Sequence, residues 1–142
     1  MGILEELKKG IVVDSPEKME RMGRRLAREF HKGGIIGLKG DLGAGKTTLV
    51  RGMARELGIP EITSPSFNYY FLHKGKIPLL HLDAYRLNSP AEYPSLMIDE
   101  LLTPKNLFVI EWPEKLGSYL PKDTLLLELK IISPGIHNIR ML

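Results

Sequence analysis

The fold of this chain is decided by the stretch Gly37-Leu38-Lys39-Gly40-Asp41-Leu42-Gly43-Ala44-Gly45-Lys46-Thr47-Thr48. From Gly40 it reads G-x-x-x-x-G-K-T, the pattern of a phosphate-binding P-loop. A di- or triphosphate is dense in charge, and glycines allow successive backbone N–H groups to turn toward it as an anion-binding nest. The pattern therefore predicts a site for the phosphates of a nucleotide. The alternative is an ordinary glycine-rich turn between a strand and a helix.

The segments on either side of this loop arrive in the order that a P-loop requires. The apolar run Gly34-Ile35-Ile36-Gly37-Leu38 suits a buried strand, and the residues from Leu49 to Leu57 have helical spacing that is closed by Gly58 and Pro60. The helix begins near Gly45, so its partially positive N-terminus points at the same place. We expect a strand, a phosphate loop and a helix.

Two side chains of the loop have separate expected tasks. Lys46 is expected to reach the β- and γ-phosphates, and the hydroxyl of Thr47 to bind the magnesium ion that bridges them. The sequence therefore predicts a magnesium-nucleotide site rather than a site for a free anion.

A second buried strand ends in an acid. The stretch Asn106-Leu107-Phe108-Val109-Ile110-Glu111-Trp112 places a glutamate directly after four apolar residues. Such a strand delivers a carboxylate to the carboxyl edge of the sheet, where ligands bind in open α/β folds. Carboxylate oxygen is a ligand that magnesium prefers. We predict that Glu111 binds magnesium beside Thr47, directly or through water.

A hairpin is expected between these two parts of the chain. Residues 68–73 and 77–83 read as strands, and Lys74-Gly75-Lys76 reads as the tight turn that joins them. Alternation places His81 and Asp83 on one face, so both can point to the phosphate site. A hydrogen-bonded structural pair of the two is equally compatible with this spacing.

Two polar segments are open to a structural and a functional interpretation. The loop from Glu61 to Phe67 carries hydroxyls that either cap local turns or form a switch that senses the γ-phosphate, namely Thr63, Ser64 and Ser66. A helix that starts at Ser15-Pro16-Glu17 carries a basic stripe, which is either a solvated face or a docking surface for a partner or RNA, namely Arg21, Arg24, Arg25 and Arg28.

Composition limits the class of protein. The chain has 142 residues, 43% hydrophobic and 26% charged, with a formal charge of +3 and no cysteine. These values indicate one globular domain over residues 1–142 without disulfides or thiol chemistry. No apolar run reaches the roughly 20 residues of a membrane span and no signal-peptide pattern begins the chain, so we expect a cytoplasmic protein. We predict an α/β, P-loop NTPase-like three-layer fold with a mixed, mostly parallel central sheet.

Four motifs taken together resemble those of the bacterial TsaE family, formerly called YjeE. In chain order they are Gly40-Asp41-Leu42-Gly43-Ala44-Gly45-Lys46-Thr47-Thr48, Ser64-Pro65-Ser66-Phe67, His81-Leu82-Asp83-Ala84-Tyr85-Arg86-Leu87 and Ile110-Glu111-Trp112-Pro113-Glu114. The resemblance covers the chain from about Ser15 to its end. Many P-loop proteins share the first motif, whereas the four in this order are specific.

The resemblance implies a small ATPase of the tRNA N6-threonylcarbamoyladenosine (t6A) pathway. Members assist the TsaB and TsaD proteins, which transfer a threonylcarbamoyl group to adenosine 37 of ANN-decoding tRNAs. ATP binding and hydrolysis by the family reset that complex between turnovers. The implied cofactors are ATP and Mg²⁺, the implied partner is the TsaB–TsaD heterodimer, and tRNA is reached only through that complex.

The resemblance also implies roles for individual residues. Lys46, Asp83 and Glu111 form the catalytic set, Thr47 and Glu111 hold magnesium, and Trp112 lies beside them. Asp83 is expected to orient the attacking water. The nucleotide-binding set is Leu42, Gly43, Ala44, Gly45, Lys46, Thr47 and Thr48.

Three other functions are compatible with a phosphate loop. A small-molecule kinase would transfer the γ-phosphate to a hydroxyl acceptor, but 142 residues leave little room for an acceptor pocket and a lid. A GTP-dependent switch would carry an Asn-Lys-x-Asp motif that reads the base, which this sequence does not contain. A noncatalytic adaptor would use ATP only to shape a docking surface.

Overall fold

A central sheet of seven strands organises the chain in the computed structural model, which describes residues 2–62 and 69–142. The strands are β1 (Ile11–Val13), β2 (Gly34–Lys39), β3 (Tyr70–His73), β4 (Leu79–Asp83), β5 (Leu107–Glu111), β6 (Leu125–Ser133) and β7 (Ile136–Met141). Their order in the sheet is β1-β7-β6-β2-β5-β4-β3. The four central strands are parallel, and the outer pairs β1–β7, β6–β7 and β3–β4 are antiparallel. The predicted mixed, mostly parallel sheet is confirmed.

Helices cover both faces of this sheet. One face carries α1 (Ile3–Lys9), α2 (Pro16–Glu29) and α3 (Lys46–Glu56), and the other carries short 3₁₀ helices at Pro90–Leu96, Ile98–Glu100 and Pro113–Tyr119. Strand β5 shows why two layers are needed, because Leu107 and Val109 pack under the α-helices while Phe108 and Ile110 pack under the 3₁₀ helices. The three-layer prediction is confirmed. No helix in the described ranges has the length and apolar character to cross a bilayer.

Helices α2 and α3 cross at very close range. A Cβ atom on Gly52 would lie 2.1 Å from the carbonyl oxygen of Glu20, and one on Gly23 would lie 2.1 Å from that of Leu49. The two backbones are therefore in contact at this crossing. Only glycine fits at both positions.

The basic stripe on α2 is engaged in ion pairs along much of its length. Arg24 and Arg28 lie 3.8 and 3.0 Å from the carboxylate of Glu56 on α3, and Arg25 pairs with Glu6 on α1. Ser15 caps the helix as predicted by accepting a hydrogen bond from the backbone of residue 18. The stripe links three helices, which favours the solvated-face interpretation over a docking surface.

Two segments differ from the sequence predictions, and a third cannot be compared with them. The hairpin loop covers residues 74–78 rather than three residues, because Pro78 has no N–H to donate and β4 begins after it. The Asn88-Ser89-Pro90-Ala91-Glu92 signature predicts a helical stretch to about Leu102 that is interrupted at Pro94. The structure has two 3₁₀ helices there, which end at Glu100, and Pro94 lacks the donor that a continuous α-helix needs. The predicted switch hydroxyls Thr63, Ser64 and Ser66 lie outside the described residues.

Candidate functional site

The ends of three parallel strands meet at one edge of the sheet. In the register of the sheet Glu111 is paired with Leu38 on one side and with Asp83 on the other, so the loop after β2 and the two acids converge. They surround a cavity of about 290 Å³ at the start of α3. Its lining residues are Leu42, Gly43, Gly45, Lys46, Thr47, Thr48, Asp83, Tyr85, Glu111 and Trp112. We refer to it below as the phosphate cavity.

The loop backbone adopts conformations that favour glycine. Gly43 and Gly45 have φ angles of +84° and +106°, and the backbone N–H of Ala44 donates to the carbonyl of Asp41 at 3.0 Å. Gly45 is the N-cap of α3, so the first turn of that helix opens onto the phosphate cavity. Ala44 differs from its neighbours, because it is buried and lines a separate cavity on the other side of the loop.

Lys46 is almost fully buried within the loop that it belongs to. Its side chain is 5% exposed, its ammonium donates a hydrogen bond to the carbonyl oxygen of Gly40, and Nζ lies 3.9 Å from the centroid of the Trp112 ring. Burial lowers the pKa of Lys46, and the carboxylates of Glu111 and Asp83 oppose that shift. The ammonium is thus held at the floor of the cavity, next to two acids and one aromatic face.

Glu111 is paired with a histidine. Glu111 is 6% exposed, and its Oε2 lies 2.5 Å from Nε2 of His81, which is itself 1% exposed. The sequence predicted that His81 and Asp83 share a face, and they do, but the partner of His81 is Glu111 rather than Asp83. Alternation along β4 predicted that His81 and Asp83 share a face, whereas the contact with Glu111 depends on β5 lying beside β4.

Asp83 lies at the mouth of the site, two residues beyond His81. Its Oδ1 accepts a hydrogen bond of 3.0 Å from the backbone N–H of Tyr85, which fixes the turn that follows β4. Burial raises the pKa of Asp83 and Glu111 adds to that rise, while the Tyr85 hydrogen bond and Lys46 lower it. Asp83 therefore faces the cavity in a less solvated setting than an ordinary surface aspartate.

Trp112 separates two cavities. It lines the phosphate cavity and also a cavity of about 330 Å³ on the far side of the loop. Its backbone is left-handed, with φ of +58° and ψ of +53°, and its ring lies 5.0 Å from that of Tyr85. A left-handed conformation is costly for a bulky residue. The bend turns the chain at the end of β5 so that the ring stands against Lys46.

A third cavity adjoins the opposite end of the loop. It has a volume of about 180 Å³ and combines loop residues with the start of α2 and the turn before β7. Sequence reasoning did not identify its contributors from outside the loop, because nothing local links residue 15 to residue 137. Its lining residues are Ser15, Pro16, Met19, Gly43, Gly45, Thr48, Gly135 and His137.

The donor set of the phosphate cavity fits magnesium bound together with a nucleotide. The hydroxyl of Thr47 and the carboxylates of Asp83 and Glu111 are hard oxygen donors. Within residues 2–62 and 69–142 no cluster of three or more histidines and acids is arranged to hold a metal by itself. An ion here would therefore need further oxygens, which phosphates and water supply in magnesium-nucleotide sites.

A family model and individual relatives of this chain carry the same description. A family model described as "Threonylcarbamoyl adenosine biosynthesis protein TsaE" matches residues 13–137. The chain is 36% identical over 126 residues to a protein of Treponema pallidum named tRNA threonylcarbamoyladenosine biosynthesis protein TsaE, covering 88% of this chain and 93% of the relative. A protein of the same name from Bacillus subtilis is 34% identical over 118 residues, covering 82% of this chain and 73% of the relative.

A solved structure has the same architecture. The crystal structure of Bacillus subtilis YdiB matches with a TM-score of 0.77 and 28% sequence identity, over 93% of this chain and 82% of that one. Because the match spans nearly the whole chain, the likeness is to the entire fold and not to an isolated motif.

Proposed function

This chain belongs to the TsaE family of threonylcarbamoyl adenosine biosynthesis proteins, and from that premise we propose that it is a magnesium-dependent ATPase. In this proposal ATP hydrolysis supports the t6A modification of tRNA adenosine 37 by acting on the TsaB–TsaD complex. The tRNA is reached only through that complex.

One observation carries the proposal. A buried lysine, a threonine hydroxyl and two carboxylates line a single cavity at the N-terminus of α3, namely Lys46, Thr47, Asp83 and Glu111. A helix N-terminus attracts phosphate, and lysine adds a point charge to it. The carboxylates would be out of place in a site for a bare anion, whereas a cation bound with the phosphate accounts for them.

Each residue then has a task that its position supports. The backbone N–H groups from Gly43 to Thr48 bind phosphate oxygens, and the Lys46 ammonium contacts the β- and γ-phosphates. Thr47 and Glu111 would hold magnesium, which when bound neutralises charge on those oxygens. Asp83, at the mouth of the cavity, orients the attacking water.

The 180 Å³ cavity supplies a place for the base. It begins where the phosphate cavity ends, because Gly43, Gly45 and Thr48 line both. Pro16 and Met19 offer it apolar surface. Apolar walls with a few polar groups are typical of sites that bind flat heterocycles. The cavity is therefore the proposed adenine site.

Hydrolysis is expected to be slow in the isolated protein. Lys46 is the only basic residue among the described residues that line the phosphate cavity. P-loop enzymes that lack an arginine finger hydrolyse slowly until a partner supplies one or otherwise completes the site. The proposal therefore includes stimulation by TsaB–TsaD.

The test combines binding, turnover and tRNA modification. Calorimetry with Mg-ATP should give a saturable heat, ATP turnover should rise when TsaB–TsaD is added, and reconstituted t6A formation should depend on this protein and on ATP. The variant Glu111→Gln should keep ADP binding measured in EDTA and lose turnover. Absence of binding heat would contradict the ATPase proposal, and t6A formation that continues unchanged with Glu111→Gln would identify an adaptor instead.

A further inference from the structure

The buried histidine on β4 contacts the acid at the end of β5 rather than its own strand neighbour. In the register of the sheet His81 is paired with Val109, and Asp83 is paired with Glu111. All four side chains lie on the face that the α-helices cover. The ring of His81 reaches past Val109 to the end of β5, where its Nε2 lies 2.5 Å from Oε2 of Glu111.

This contact is the main polar support of the Glu111 carboxylate. A carboxylate that ligates a metal is ionised and only accepts hydrogen bonds, so in that state Nε2 of His81 is the donor. Within the described part of the chain His81 is the only side chain that hydrogen-bonds Glu111, and the other ring nitrogen, Nδ1, has no hydrogen-bond partner. A nearly buried carboxylate without such a donor is strongly disfavoured. The histidine therefore serves Glu111 and makes no other polar contact in that region.

The two oxygens of Glu111 consequently differ. Oε2 is engaged by His81, whereas no side chain in the described ranges hydrogen-bonds Oε1, and Glu111 lines the phosphate cavity. We propose that His81 is a positioning residue that presents Glu111 to the metal through one defined oxygen, an inference that rests on the proposed magnesium-nucleotide function. Partners that orient a metal ligand in this way commonly contribute ten- to hundredfold to metal affinity or activity.

A purely structural pair would have the same geometry but would behave differently when it is broken. Loss of a structural hydrogen bond lowers the stability of the whole protein and affects every ligand through the folded fraction. Loss of a positioning contact weakens metal binding and leaves nucleotide binding without metal unchanged. The variants must therefore separate metal affinity from folding.

Substitutions at position 81 isolate the hydrogen bond. His81→Gln keeps an N–H donor at nearly the distance of Nε2, and His81→Leu fills similar space without a donor. His73→Leu is the matched control, because His73 is a partly buried histidine on the adjacent β3 strand that does not contact Glu111. Thermal unfolding of each variant establishes that it is folded. If His81→Leu does not fold, His81→Asn replaces it, since its amide is too short to reach the carboxylate.

The probe is Mn²⁺ in the presence of ADP, with the free ion measured by electron paramagnetic resonance. His81→Leu is expected to weaken Mn²⁺ binding about ten- to hundredfold, whereas His81→Gln and His73→Leu stay close to the unchanged protein. ADP binding measured in EDTA is expected to be the same in all of them. In a Glu111→Gln background, His81→Leu should cause no additional loss of Mn²⁺ affinity.

The possible results separate failure of the His81 inference from failure of the proposed function. Unchanged Mn²⁺ affinity in folded His81→Leu, or in His81→Asn if that variant replaces it, would overturn the inference. So would a loss of Mn²⁺ affinity from His81→Leu that is as large in the Glu111→Gln background as in the unchanged protein. A ¹⁵N spectrum in which Nε2 of His81 is not protonated would also overturn it. If the unchanged protein bound neither ADP nor Mn²⁺ with ADP, the proposed function itself would be wrong.

Discussion

Replacing Lys46 by methionine removes the charge of the phosphate loop while keeping most of its volume. Lys46 is 5% exposed, and its ammonium already has two partners in the free protein, the carbonyl of Gly40 and the ring of Trp112. When the ammonium binds phosphate, that interaction replaces part of its internal interactions. The loss of nucleotide affinity in the variant should therefore be smaller than the strength of an ammonium–phosphate hydrogen bond alone.

The expected magnitude follows from these two contributions. A hydrogen bond from an ammonium to phosphate is worth about 1.5 to 3 kcal/mol. A cation–π contact is worth about 0.5 to 1 kcal/mol at exposed sites and about 2 kcal/mol when desolvated, so partial exchange of the buried contact with the Trp112 ring offsets about 1 kcal/mol. About 0.5 to 2 kcal/mol remains, which corresponds to roughly a two- to thirtyfold weaker affinity for ADP. Turnover should fall further, because charge grows on the phosphate oxygens in the transition state.

Isothermal titration calorimetry with Mg-ADP measures the affinity, and a second lysine supplies the control. Lys39 is exposed at the end of β2 and does not line the phosphate cavity, so Lys39→Met makes the same charge change a few residues away. We expect Lys39→Met to bind ADP almost normally. Equal loss in the two variants would show that long-range charge, not the buried contact, accounts for the effect, and no loss in Lys46→Met would refute the proposed phosphate contact.

Three further predictions concern stability, pH and the surface. Gly52→Ala should lower the free energy of unfolding in urea by about 1 to 3 kcal/mol, because the added Cβ would lie 2.1 Å from the carbonyl oxygen of Glu20. Unchanged stability would mean that the two helices move apart at little cost. Burial, and then the charge of His81, lower the pKa of His73 below 6.5, so the unfolded state binds more protons than the folded state. The free energy of unfolding should therefore fall as the pH drops through about 6.5, and less steeply in His73→Gln. Equal slopes for the two proteins from about pH 5 to pH 8 would contradict this. Arg28→Ala should cost at most about 1 kcal/mol in the same urea assay, because the Arg28 side chain is 63% exposed in its pair with Glu56. It should leave t6A formation intact, and lost modification in a stable variant would instead support a docking surface.

The phosphate loop could be predicted from sequence because its chemistry leaves few choices. Backbone that bends around phosphate needs glycine at fixed places, and Gly43 and Gly45 do have positive φ angles. The position of Glu111 was predictable for a similar reason, since an acid that follows a fully apolar strand must lie at the strand end. Both predictions used residues within one short segment.

The partners of these residues depended on strand order, which local sequence does not contain. His81 and Glu111 are 30 residues apart, and they meet only because β4 and β5 are parallel neighbours with His81 opposite Val109. A shift of the register by one residue would turn His81 to the other face. The 180 Å³ cavity likewise requires β7 to return beside α2, so His137 was not predictable as its lining residue.

The charges that line the phosphate cavity explain why its parts must act together. Lys46 contributes one positive charge, and Asp83 and Glu111 contribute one negative charge each, so the formal sum is −1 despite a chain charge of +3. Side chains alone therefore do not attract a polyphosphate, and overall charge is no guide to this site. Under the proposed function, backbone N–H groups hold the nucleotide and a bound cation adds the missing positive charge. The orientation of the Glu111 carboxylate then bears on the binding of the metal with the nucleotide, which is the proposed reason for a histidine that holds one of its oxygens.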